Sequence, residues 1–135
     1  MKKSKENVEQ CLAGLMIPVK NLLETTTTKF PWFAIDNIAN DIAEEWDSGY
    51  FEYYCQRLKE LGYDPSDILL VANDICTAFE EISFGMPKFN PDLWTPQGFE
   101  DSLEWQMQRE KATRLKSLIE RLKPASSHET KQIDG

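Results

Sequence analysis

Between Ile68 and Ile82 the apolar residues recur at steps of mostly three and four: Ile68, Val71, Ala72, Ile75, Cys76, Ala78, Phe79 and Ile82. Such steps gather side chains on one face of a 3.6-residue helix and on no single face of a strand. The resulting arc spans close to half the helix circumference. An arc that wide meets more than one neighbour, so the segment 65–83 is expected to be the central helix of a bundle. Asp64-Pro65 opens it, an acidic cap followed by a proline in the first turn.

The same punctuation divides the rest of the chain. A first helix is expected from about Ser4, carrying Val8, Cys11, Leu12, Leu15 and Met16, with Pro18 kinking or ending it. Leu22 and Leu23 would form a second piece, and the polar β-branched run Thr25–Thr28 a connector. Pro31 suits the first turn of the next helix. There Ile35, Ile38, Ala39, Ile42, Ala43 and Trp46 fall within about 140° of arc, and Asp36, Asp41, Glu44, Glu45 and Asp47 fall opposite. Ser48-Gly49 is expected to end it. Residues 50–61 place Phe51, Tyr54, Leu58 and Leu61 on one face, with Gly62 where a C′ glycine belongs.

Thr95-Pro96 opens the longest predicted helix, running to about Lys123. Phe99, Leu103 and Met107 lead into Leu115, Leu118, Ile119 and Leu122, and Pro124 stops it. The fold class is therefore all-α: a compact bundle of four to five helices with a long C-terminal helix. Residues 1–124 form a single helical domain, and 125–135 a flexible polar tail. The sequence shows no internal repeat and no strand pattern.

Charge is divided unevenly. Residues 1–30 carry +2, residues 31–104 carry sixteen acids against three bases, and residues 105–135 carry +3, which sums to the net −8. A field of this kind repels nucleic acid and anionic membrane and attracts basic surfaces. No window approaches the roughly 18 apolar residues that span a bilayer. The basic start Met-Lys-Lys-Ser-Lys-Glu leads into no cleavage site of signal type. Cys11, Cys55 and Cys76 are too widely spaced for a zinc or redox motif. A cytoplasmic protein with reduced thiols is the expectation, with Cys76 an inert buried one.

Catalytic patterns are sparse. His128 is the one histidine, and a residue of the predicted tail is poorly placed to sit within about 3 Å of a nucleophile. The glycines are scattered, with no phosphate-cradling loop. Glu44-x-x-Asp47, Asp64-x-x-Asp67 and Glu100-x-x-x-Glu104 have helical spacing, and paired carboxylates on facing helices can hold Mg²⁺. In this they resemble fragments of the paired acidic elements of all-helical nucleoside-triphosphate pyrophosphatases, which implies a metal-dependent nucleotide hydrolase as the alternative function. Glu44 and Asp47 lie opposite their apolar face, where water rather than metal is the expected neighbour. No metal, cofactor or catalytic residue is assigned. On the last helix, Arg114 and Arg121 flank one side of the apolar stripe and Lys116 and Lys123 the other. These bases, with Arg109 and Lys111, are expected to pair with the acidic middle of the chain rather than with nucleic acid.

The favoured reading is a non-catalytic acidic protein-binding module, of the kind found in immunity proteins, antitoxins, inhibitors and adaptors, docking on a basic partner surface. The candidate contact residues are Asp36, Asp41, Glu44, Glu45 and Asp47 for steering, with Tyr50 and Tyr53 as aromatic anchors. Phe89 and Trp94 join them from the apolar loop 84–94, which also holds Phe84, Met86 and Leu93. The loop could instead fold back to close the core, or join two copies, so the chain is expected to be a monomer or a homodimer. The segment DSGYFEYY, residues 47–54, resembles over eight residues a helix start in some small acidic bacterial helical domains, one of them a DNA mimic.

Overall fold

The computed structural model describes residues 2–24 and 38–122, with side chains from Val8 onward. The expected Thr25–Thr28 connector, the helix start at Pro31 and the tail 125–135 with His128 lie outside these residues. The elements are α1 (Lys2–Leu23), α2 (Ile38–Glu44), α3 (Ser48–Glu60), α4 (Ser66–Glu81), a 3₁₀ turn (Pro91–Trp94), α5 (Pro96–Asp101) and α6 (Leu103–Glu120). The architecture is all-α, with no strand among the described residues and a long C-terminal helix. No helix of the described residues is long and apolar enough to cross a membrane.

Four helices make the frame. α1 packs on α6 and α3, and α4 packs on α6 and α3, so the four surround one core. The wide apolar arc of α4 is explained by this arrangement: it faces the core and both neighbours, forming one wall of the ring rather than its axis. Leu15, Phe51, Leu58, Ile75 and Leu115 fill the interior and are fully buried. α2, the 3₁₀ turn and α5 form a smaller group against the frame.

Local chemistry sets the helix ends. α3 ends in a Schellman arrangement: Tyr63 N–H donates to Leu58 O and Gly62 N–H to Lys59 O, with Gly62 at φ 93°, where a side chain would be strained. Asp64 Oδ1 accepts from Ser66 N–H and Ser66 Oγ–H at the start of α4. Thr95 Oγ1 accepts from Gly98 N–H at the start of α5. Ser48 and Gly49, expected to end a helix, begin α3 instead.

The predicted single helix from Pro96 to Lys123 is broken at Ser102, whose φ −70° and ψ 149° are extended. Its hydroxyl accepts from Trp105 N–H at 3.3 Å, so Ser102 caps a new helix. The break resets the phase of the apolar face. Leu103 and Met107, expected in the stripe, are 68% and 41% exposed. The core positions are Trp105, Gln108, Arg109, Ala112, Leu115 and Ile119.

Trp105 and Arg109 tie this end of the molecule together. The Trp105 ring meets Phe79, Trp94 and Phe99 at centroid distances of 4.9, 5.9 and 5.0 Å, and its Nε1–H donates to Leu93 O at 2.8 Å. Arg109 is buried and lies over the Phe99 ring at 4.7 Å. Its Nε–H donates to Leu22 O at 3.2 Å and its Nη2–H to Phe99 O. Leu22 stands in the last turn of α1 and Phe99 in that of α5, where carbonyls lack helical partners and the helix dipole is negative. The cation is therefore held by helix ends, with no carboxylate within 4 Å among the described residues. The expected pairing with the acidic middle is made by Lys111, 3.2 Å from Asp74. Lys116 pairs within its own helix, with Glu120.

Pro18 neither ends nor splits α1, which runs through it to Leu23. A proline inside a helix has no N–H for the carbonyl four residues back, here that of Gly14. Tyr50, from α3, supplies the missing donor: its hydroxyl donates to Gly14 O at 2.6 Å. The close approach also accounts for glycine at position 14, because a Cβ there would stand 2.6 Å from the Tyr54 ring.

Two outcomes are expected. Tyr50→Phe should lower stability by about 1 kcal/mol, the usual worth of such a bond. In a Pro18→Ala background the same change should cost less, because the alanine restores a backbone N–H for Gly14 O. Urea denaturation of the four proteins as a double-mutant cycle measures the coupling. The three thiols are all buried. Burial holds Cys11 above the ordinary thiol range and pushes Cys55 to about 11 and Cys76 to about 12. At neutral pH a thiol reagent should label the native protein slowly or not at all and label all three on unfolding.

Candidate functional site

The predicted contact residues divide into three groups. Asp36 lies outside the described residues. Asp41, Glu44, Glu45 and Asp47 lie on α2 and the turn that leads to α3, as expected, but they do not share one solvated face. Glu44 and Asp47 are exposed, and Asp41 and Glu45 are half-buried. Glu45 leans on α1, where Asn21 Nδ2–H₂ donates to both of its carboxylate oxygens at 3.0 and 3.1 Å. Glu44 accepts from Asn40 Nδ2 at 2.8 Å.

These acids meet α1 at its proline. Ile17, Pro18, Glu44, Glu45, Asp47 and Tyr50 line one cleft of about 270 Å³. The cleft has an apolar wall, from Ile17 and Pro18, and an acidic rim of three carboxylates. Its origin is a bond between two helices. Pro18 draws the Tyr50 hydroxyl to Gly14, which fixes the start of α3 against α1 and brings the preceding turn, with Glu45 and Asp47, beside Ile17. No base lies within 4 Å of Asp41, Glu44, Glu45 or Asp47 among the described residues. The ion pairs found among the described residues are elsewhere on the surface.

Burial is the main cause that raises the Glu45 carboxyl above its ordinary range. The Asn21 amide opposes it and the Asp41 charge adds to it. Burial, with Tyr54 and Glu45 nearby, raises the Tyr50 phenol. Both shifts report chiefly the loss of solvent around the charged form, with a smaller repulsive part from the neighbouring acidic groups.

Tyr50 is half-buried and lines the cleft with its hydroxyl committed to Gly14, so it is not a free anchor. Tyr53 is 59% exposed. It lies against Tyr54, edge to face at 5.1 Å, and does not line the acidic cleft.

The 84–94 loop divides in two. Its second half closes the core: Leu93 is buried, and Trp94 packs on Trp105 while donating from Nε1 to Ile82 O at 3.0 Å. Its first half stays outside. Phe84 is 84% exposed and meets the half-buried Phe89 at 5.4 Å. The structure thus gathers Glu44, Glu45, Asp47 and Tyr50 in one place, and leaves Phe89 and Trp94 on a different part of the surface.

Ile17 and Pro18 complete the cleft and Asn21 holds its Glu45 carboxylate, and the sequence pattern does not mark the three as site residues. A signal for Ile17 exists: it is out of phase with the α1 core positions Leu15, Val19 and Leu22. Nothing in the residue order announces that Asn21 faces Glu45. Among the described residues, no group of three or more His, Cys, Asp or Glu side chains is placed to hold a metal ion, so the carboxylate pairs at 44/47, 64/67 and 100/104 do not converge. No protein-family model matches this chain, and no match was found among curated proteins or solved structures.

The raised Glu45 carboxyl has a defined consequence for stability. The folded state binds its proton more tightly than the unfolded state does, so its contribution is full below the unfolded glutamate value and is lost as pH rises through the folded one. Glu45→Gln should therefore gain stability relative to wild type as pH rises across that window, and lose the gain below it. Urea denaturation across the acid range, with carboxyl titration followed by NMR, checks the direction.

Proposed function

We propose that this chain is a small acidic binding module that docks a basic protein surface at the cleft between α1 and the α2–α3 turn. The observation that carries this is the gathering of Glu44, Glu45 and Asp47 round an apolar wall, with no base among the described residues close enough to neutralise them. In a chain of net charge −8, such a rim steers cationic partners and repels anionic ones. A lysine or arginine side chain fits the chemistry of the cleft. Its methylene stem lies along Ile17 and Pro18, and its charged head reaches the carboxylates. An arginine would pair in bidentate fashion. Inhibitors, antitoxins, immunity proteins and adaptors work in this non-catalytic way.

The gain from each rim charge is modest, about 0.2–1 kcal/mol for an exposed pair. Steering accounts for more of the effect through the association rate, which should fade as salt shortens the Debye length to about 3 Å at 1 M.

The test uses a fluorescent lysine- and arginine-rich peptide as the cationic probe, with anisotropy read at low and high salt. The triple variant Glu44→Gln, Glu45→Gln, Asp47→Asn should bind about tenfold more weakly at low salt. A control triple of equal charge change, Glu80→Gln, Glu100→Gln, Glu110→Gln, should lose much less. Equal losses in the two triples would mean that net charge alone attracts the peptide, and would overturn the assignment to this cleft.

A further inference from the structure

A second cleft, of about 390 Å³, lies on the other side of Ile17 between α1 and α6. Leu12, Ala13, Met16, Ile17 and Ile119 line it, with Lys20 and Glu120 also on it. Ile17 lines both clefts, so the two adjoin at that residue along α1. The groove they would make together has two unlike parts. The α1–α6 part is apolar, and its two charged residues are of opposite sign. The α2–α3 part carries the three carboxylates.

A lone exposed isoleucine is ordinary in a soluble protein. Ile17 differs in its setting. It is 55% exposed, and it stands between the half-buried Leu12 and Met16 on one side and an acidic rim on the other. From Leu12 to Pro18 the floor follows about 9 Å of helix, at 1.5 Å per residue. That is about the length of two turns of a second helix lying against it.

We infer that this groove receives an amphipathic basic helix of a partner protein, its apolar face on Leu12, Met16 and Ile17 and its basic residues against Glu44, Glu45 and Asp47. The inference rests on the docking reading above and makes it more specific: the partner offers a helix with an apolar stripe edged by lysine or arginine, not merely a basic patch. Charge complementarity selects this occupant. A second copy docking groove to groove would bring the same three carboxylates together and be repelled. An acidic or neutral helix would leave the rim without counter-charge. An extended basic strand has no row of side chains at the three- and four-residue spacing that an apolar floor along a helix accommodates.

Two synthetic peptides of about 18 residues, five turns at 3.6 residues each, separate the possibilities. Both contain the same leucines and lysines. In one the leucines follow helical spacing; in the other the order is scrambled so that no apolar face forms. The amphipathic peptide should bind about tenfold more tightly, gain helix on binding by circular dichroism, and lose that advantage on Ile17→Asp. The exposure of Ile17 should keep this variant folded, and its own circular dichroism is the check. Ile17→Ser provides a second variant without added charge.

Equal binding of the two peptides, with salt dependence kept, would overturn the helix inference and leave the docking reading standing. Failure of both peptides to bind would overturn both readings. Preference for the amphipathic peptide that survives Ile17→Asp and Ile17→Ser would place its site elsewhere and overturn the inference. So would a concentration-dependent dimer, seen by sedimentation and abolished by Ile17→Asp.

Discussion

A guanidinium held in the core by the carbonyls of two helix ends is the constraint on which this fold depends. Burying a charge costs several kcal/mol unless its hydrogen-bonding groups are met. Arg109 is met at Nε and Nη2 by carbonyls left unpaired at two helix ends, Leu22 O of α1 and Phe99 O of α5, and by the face of Phe99, while its Nη1 is buried with no hydrogen-bond partner among the described residues. Those ends need donors as much as the cation needs acceptors. One side chain thus settles two problems of the helical frame and sets where α1 and α5 stop relative to α6. Trp105, one turn earlier, does the same for Leu93 O. The loop between α4 and α5 is closed by these bonds and by the Trp94 indole, not by hydrophobic burial alone.

The opposite corner uses the reverse device. At Pro18 the helix lacks a donor, and Tyr50 supplies one from outside. A polar requirement created inside one helix thereby fixes the position of another. The same bond brings the α2–α3 turn against α1, so the acidic cleft follows from a proline placed where a helix would ordinarily reject it. Structure and proposed function meet here: the residue that breaks the local rule organises an acidic surface that no base among the described residues neutralises.

The legible parts of the fold are those governed by neighbours in sequence. The cap at Thr95, the glycine at position 62 and the apolar face of α4 all follow from residues within a few positions. The misread parts share a cause. Residues 96–123 lack a proline or glycine at the break, so the pattern Phe99, Leu103, Met107 reads as one helix. Ser102, three residues before Trp105, is the available signal, and serine is common enough in helices to hide it. Arg109 reads as a surface base because its type is seldom buried, although it falls in phase with Trp105 and Ala112. At the candidate site the acids of α2 are legible as a cluster. The binding of Glu45 by Asn21, and of Glu44 by Asn40, is not.

By itself, the sequence determined the all-helical class, most of the helix starts and the concentration of negative charge in residues 31–104. These depend on spacing, backbone chemistry and composition, which act over a turn or two. Only the tertiary structure decided which acids gather, why Pro18 is tolerated and where Arg109 goes. The bonds responsible span 24 residues from Asn21 to Glu45, 36 from Gly14 to Tyr50 and 87 from Leu22 to Arg109. Periodicity tells which way a side chain leaves its own helix. Which atom waits there is set by how the helices pack, because a buried polar group takes its partner from whatever element closes over it.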